Sequence, residues 1–292
     1  MELQQLRYVL AVAETRSFTR AAERCHVVQS ALSHQIARLE RELGGRLFER
    51  TSRRVRLTAA GEAFLPAARQ CLDAAERAAA AVAAALGEVR GQLNVGVIPT
   101  VAAVDLPSLL KEFRMRYPKA RVALRVGSSP ELAEQVRRAE LDLAFLGLPA
   151  TTEPRGVEVH EFGRDRHVAV VAPGHPLAEA EEIELSRLAS EVFVDFPAGS
   201  AGRAQSDLAF EAAGIDREVA LEVGAVDIMV ELVRRGLGVT MLPSTFVTGL
   251  SGIATIPVSD APQRVEYLVW SRSEPRPAAT AFLGLLGLPT GS

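Results

Sequence analysis

The chain has 292 residues, of which 48% are hydrophobic and 24% charged, enough for about two packed domains and too apolar for a disordered chain. Its two cysteines, Cys25 and Cys71, form no CxxC and no His stands at metal-ligand spacing, which excludes a disulfide framework and a zinc finger. The net charge of -3 is uneven: residues 1–90 carry 14 Arg, no Lys and 10 acidic residues, net +4, and the rest stands at -7, so a polyanion would meet the head rather than the body.

In chain order, Leu3, Leu6, Leu10 and Ala13 recur at three- and four-residue steps and predict a first amphipathic helix. Met1-Glu2-Leu3 has no basic n-region, so no secretory signal is read and a cytoplasmic protein is expected. Ser17 is placed to cap a second helix with Phe18, Ala21, Ala22 and Cys25 on one face, Cys25 reading as a small core residue. His26-Val27-Val28-Gln29 breaks the pattern. Ser30 is placed to cap a third helix, whose Leu32, Ile36, Leu39 and Leu43 form one apolar stripe closed by Gly44 and Gly45.

At about 100° per residue, Ser30, His34, Ala37, Arg38 and Arg41 lie opposite that stripe, with Gln29 and Ser33 at the N-terminal flank. Small, amide and imidazole side chains there permit close approach to base edges; a helical hairpin whose polar side faces water is the alternative. The next segment favours DNA. Val55 and Leu57 alternate with Arg54 and Arg56, as in a short hairpin that turns arginines away from the core. Arg50, Arg53, Arg54 and Arg56 are then placed to neutralise phosphates, with Arg53 at the tip facing a minor groove.

The stretch SFTRAAERCHVVQSALSHQIARLERELGGRLFERTSRRVRLTAAGE closely resembles the winged helix-turn-helix of LysR-type transcriptional regulators, with helix, turn, LFER and LTxAGE elements in order over about 60 residues. The resemblance implies that the third helix lies in the major groove of double-stranded DNA and carries base reading onto Gln29, Ser30, Ser33 and His34. The family often has Arg where this chain has His34 and Pro where it has Ser30, which leaves the target sequence open.

From Thr58 an alanine-rich run predicts a long helix to about Leu86, with Pro66 in its early turns or kinking it. Phe64, Ala68, Cys71, Ala75, Ala78, Val82 and Ala85 make a stripe of mostly small residues that suits a paired helix; a solitary linker is the alternative. The resemblance implies a homodimer through this helix, with a homotetramer left open, so that two heads meet two half-sites.

Beyond Arg90, strands at Leu93–Val97, Val122–Val126 and Leu141–Gly147 alternate with helices over Leu106–Phe113 and after Ser128, predicting a right-handed parallel sheet. A second set follows: RHVAVVAP, a helix near Leu185–Leu188, VFVDF, a helix after Ser200, VALEV, a helix over Val226–Arg235 and GVTML. A strand near Val265–Trp270 and a helix near Ala278–Leu286 end the series. The long uncharged run Gly236–Ser259 is interrupted by Gly and Pro, and no membrane span is read in it. The resemblance continues through GxLxVGxxPT, FRMRYP, ELDLAFLG, VVAPGHPLA and GLGVTMLP. It implies an α/β effector-binding domain of two lobes, similar to periplasmic solute-binding proteins, with crossovers near Glu161 and Val265 and an effector in the cleft.

The expected domains are therefore a winged helix-turn-helix (1–58), a linker helix (59–90) and the effector domain (91–292), with lobe I at 91–161 and 266–292 and lobe II at 162–265. Strand ends and helix N-termini supply free N–H donors in such sheets. A small anionic effector touching Thr100, Ser128, Ser129 and Ser200, with Arg203 as charge partner, is the expected ligand; helix capping is the alternative for Thr100, Ser128 and Ser129. No catalytic residue, cofactor or metal is assigned, because the chain has no nucleophile elbow, no dinucleotide glycine fingerprint and no metal cluster. Cysteine-pair sensing within the body is excluded by the absence of Cys there, and a solute-binding protein would not carry a winged head.

Overall fold

A computed structural model describes residues 1–50, 55–273 and 275–289, without the side chains of Arg50 and Ala201. The chain divides into two units, Met1–Gly87 and Glu88–Ser292.

The first unit runs α1 (Leu3–Thr15), α2 (Phe18–Arg24), α3 (Gln29–Leu43), β1 (Phe48–Arg50), β2 (Val55–Leu57) and α4 (Ala59–Ala85). Ser17 caps α2 by accepting from Arg20 N–H at 3.3 Å. For α3 the expectation needs correcting: the N-cap is Val28, whose side chain offers no acceptor, so the helix opens at Gln29 and Ser30 sits in its first turn. The core takes Val9 and Val12 from α1, Ala21 from α2, Leu32, Ile36 and Leu39 from α3, and Leu65 from α4. Each fully buried Leu or Ile contributes about 1.5–3 kcal/mol. Leu43, expected in the same stripe, is 44% exposed because it lies in the last turn, beyond the core. Thr58 caps α4, accepting from Gly61 N–H at 3.0 Å and donating to Arg46 C=O at 2.6 Å. A Cβ on Gly61 would stand 2.2 Å from the Leu47 carbonyl oxygen, so only glycine lets α4 start this close to the strand-bearing segment.

The second unit begins with β3 (Gly91–Val97), α5 (Leu106–Arg116), β4 (Ala120–Val126), α6 (Ser129–Arg137), β5 (Leu143–Pro149) and β6 (Glu158–Val171). It continues with β7 (Val192–Asp195), α7 (Ala201–Ala212), β8 (Glu218–Glu222), α8 (Val226–Arg234), β9 (Thr240–Pro243), α9 (Ser244–Val247), β10 (Ala254–Pro257), β11 (Gln263–Trp270) and α10 (Pro277–Leu285). Strands β4, β3 and β5 are parallel, and β11 joins β5 antiparallel. The long β6 does two jobs. Its first half pairs with β11 from Glu158↔Trp270 to Arg166↔Gln263, and its second half, from His167, pairs with β9 and β10. One sheet thereby passes from the first lobe into the second, where β7 and β8 pair in parallel. The final α10 packs Phe282 and Leu283 on the first-lobe core beside Phe113.

Two elements differ from expectation. β6 starts at Glu158, eight residues before RHVAVVAP, because alternating charged residues hide a strand whose partner, β11, lies about a hundred residues on. Leu185–Leu188 is a single 3-10 turn of four residues, too short for a helix, that buries Leu185 and Leu188.

Candidate functional site

In the first unit, the packed face of α3 leaves Gln29, Ser30, His34 and Arg38 exposed and Ser33 half-buried. Two polar contacts hold that helix in place. Gln5, buried on α1, donates its amide to Gln35 Oε1 at 3.2 Å, and Glu40 Oε1 accepts from the N–H groups of Leu47 and Phe48 at 2.8 and 3.2 Å. Glu40 thus ties the start of the hairpin to α3. Arg56 is exposed on β2, in register with Glu49. Arg38 stands 3.5 Å from Glu2, a pairing between exposed groups that is worth little. Arg53 and Arg54 lie outside the described residues, as does the side chain of Arg50. Sequence patterning did not single out Gln5 or Glu40, since neither a buried amide nor a carboxylate aimed at the following strand leaves a periodic signal.

In the second unit, Thr100, Ser128, Ser129 and Ser200 line one cavity of about 370 Å³. Thr100 follows β3, Ser128 and Ser129 open α6, and Ser200 is the N-cap of α7, accepting from Arg203 N–H at 3.3 Å. The first N–H groups of each helix have no carbonyl of their own turn to bond, so two positive helix ends from the two lobes border the same space. Glu131 reaches back to Ser128 N–H at 3.3 Å and Ser128 Oγ at 2.8 Å, closing a capping box at the rim. Ser129 is 2% exposed and engaged in full: its hydroxyl donates to Gly147 C=O at 2.9 Å and accepts from Gly147 N–H at 3.1 Å.

Arg203 does not line the cavity. Its guanidinium turns to Asp207 at 2.8 Å, Glu222 at 3.4 Å, Asp195 at 3.8 Å and the Phe196 carbonyl at 3.2 Å. Beside it, Arg217, clamped between the rings of Phe193 and Phe210 at 4.8 and 4.9 Å, pairs with Asp195 at 2.7 Å and Asp207 at 2.6 Å. Against its own desolvation, Asp207 is held below the ordinary carboxylate range by hydrogen bonds from Arg217 and Arg203. This network fastens α7 to β7 and β8.

The guanidinium at the cavity wall is Arg264, 1% exposed on β11. It donates to Thr100 Oγ1 and C=O at 3.0 and 3.3 Å and makes a fork to Asp165 with two bonds of 3.0 Å. It also pairs with Glu266, which accepts from the N–H groups of Ala102 and Ala103. Sequence reading did not single out Arg264 in QRVEYLVW. The available signal was Arg264 and Glu266 two residues apart, on one side of a strand that is otherwise apolar. His167 also lines the cavity, with Nδ1 3.4 Å from Pro262 C=O; burial, and Arg264 nearby, lower its pKa to about 4. Among the described residues no His, Cys, Asp and Glu cluster suited to a metal ion occurs, and no helix is long and apolar enough to cross a membrane.

Two family models match the chain: "Bacterial regulatory helix-turn-helix protein, lysR family" over residues 3–62 and "LysR substrate binding domain" over residues 86–287. The Hca operon transcriptional activator HcaR of Escherichia coli K12 is 35% identical, covering 98% of this chain and 97% of its own. The transcriptional dual regulator GltC of Bacillus subtilis 168 is 37% identical, covering 84% of this chain and 82% of its own. Among solved structures, full-length CbnR complexed with its target DNA superposes with a TM-score of 0.73 at 27% identity, covering 98% of this chain and 99% of that one.

Proposed function

The chain belongs to the LysR family of transcriptional regulators, and from that premise we propose how a DNA-binding regulator with an effector domain divides its work here. Residues 1–58 dock α3 in the major groove of double-stranded DNA. Gln29, Ser30, Ser33 and His34 reach base edges, and Arg38, Arg50, Arg53, Arg54 and Arg56 neutralise phosphates. The linker helix, within residues 59–90, pairs two chains into a homodimer whose heads take half-sites one helical turn or a multiple apart; a homotetramer pairs two such dimers. The protein acts in the cytoplasm.

Residues 91–292 bind a small anion between lobe I (91–161 and 266–292) and lobe II (162–265). One observation carries this reading: the N-termini of α6 and α7, one from each lobe, border one 370 Å³ cavity. An anion touching both ends favours the closed arrangement, and only such a difference in affinity between arrangements can shift a regulator's state. With Arg203 engaged by carboxylates, the charge is met by these helix ends and the hydroxyls of Thr100 and Ser200.

Footprinting and anisotropy on the protein's own upstream intergenic DNA, over a salt series with and without organic acids, test both halves. DNA affinity is expected to fall steeply with salt, and an acid that binds is expected to alter the protected region. No protection of that DNA at any salt would sink the autoregulatory form of the proposal.

A further inference from the structure

The inner wall of the cavity carries two hydrogen-bond acceptors without donors. Gln205, on α7 one turn below Ser200, is 9% exposed and reaches across to the first lobe, donating Nε2–H to Gly147 C=O at 3.0 Å. That carbonyl already accepts from Ser129, so both of its lone pairs are taken. The amide's other end, Oε1, is buried and has no partner, an arrangement that costs free energy until a donor arrives. His167 is the second acceptor. With Nδ1 carrying the proton toward Pro262 C=O, Nε2 holds a bare lone pair, and the ring remains neutral near pH 7 because burial and Arg264 oppose its protonation.

Resting on the effector reading above, we infer that the effector is a hydroxylated carboxylate, its carboxylate at the helix ends and its hydroxyl donating to Gln205 Oε1 or His167 Nε2. A plain carboxylate offers these groups nothing, since an ionised acid only accepts. A hydroxyl supplies the missing proton, and a site built for such a group discriminates strongly against an analogue lacking it. Gln205 is thus assigned a specificity-determining role. Because its Nε2 bond already spans the two lobes, a donor captured by Oε1 is felt where they meet.

Isothermal titration calorimetry on the full chain with three matched pairs tests this: succinate against malate, butyrate against 3-hydroxybutyrate, and benzoate against 4-hydroxybenzoate. In at least one pair the hydroxylated acid is expected to bind at least tenfold tighter, and Gln205→Met or His167→Phe is expected to bring that pair to parity while binding of the plain acid persists. Thermal melts of both variants check that the lobes remain folded, and either folded variant suffices. Equal affinity within every pair, or discrimination that survives both substitutions, overturns the inference and leaves the anion cleft standing. Absence of heat from all six acids overturns the cleft reading as well.

Discussion

The two units place their polar residues in opposite ways. In the first, Gln29, Ser30, His34 and Arg38 on α3 and Arg56 on β2, all proposed to meet DNA, stand exposed. In the second, the side chains of Arg264, Asp165, Glu266, Arg217 and Asp195 are buried and already paired, and the cavity is bordered by helix ends, hydroxyls and an amide. A surface that meets a polyanion works with free charge, which water screens until contact. A cavity that selects a small molecule works with fixed dipoles, because a free buried charge would cost several kcal/mol to keep.

The largest test of this contrast is Arg217→Ala. It leaves the buried Asp195 with hydrogen bonds from Phe196 N–H and the Ser206 hydroxyl but with no cation nearer than Arg203, 3.8 Å away, and is expected to destabilise the second unit by about 3–5 kcal/mol; a thermal melt followed in that unit reads it. Unchanged stability would mean the network is dispensable. Next comes acid. His167 has a folded pKa of about 4 against an unfolded 6.5, so the unfolded chain binds the extra proton first. Stability is therefore full above about pH 6.5 and declines as pH falls toward 4, by on the order of 3 kcal/mol. His167→Phe should flatten that slope in denaturant titrations.

On the first unit the effects are smaller and fall on binding. Gln29→Ala or His34→Ala is expected to cost about 1–3 kcal/mol at the preferred site and to relax the base preference, whereas Arg56→Ala should weaken all sequences alike and lower the salt slope by about 1. If both kinds of variant changed only the salt slope, α3 would not be reading bases. The smallest is Thr58→Ala, which removes the α4 cap and costs about 1 kcal/mol in a melt of the first unit.

The same contrast explains what could be read in the sequence. Leu32, Ile36 and Leu39 repeat at helical spacing, and Thr58 precedes an alanine run, so local rules located α3 and α4. Thr100, Ser128, Ser129 and Ser200 could be grouped because each follows a strand end, and they do border one cavity. Arg203 offered the same local signal, yet its surroundings are set by Asp207 on its own helix and by Asp195 and Glu222 on β7 and β8. Arg264, His167 and Gln205 carry no motif at all. Arg264 and His167 are placed by β6 and β11 meeting across about a hundred residues, and Gln205 by α7 reaching Gly147 on β5, long-range contacts that periodicity does not encode.

The glycine at the root of α4 has a mechanical consequence. With Gly61 seated against Leu47, Thr58 bonded to Arg46, and Leu65 and Ala68 buried on the same unit, the helix is clamped well past Pro66. What extends beyond, to Ala85, is a lever of roughly 25 Å. The root of that helix is thereby fixed to the head. Filling the notch with Gly61→Ala would push that root away from the Leu47 carbonyl and loosen the joint.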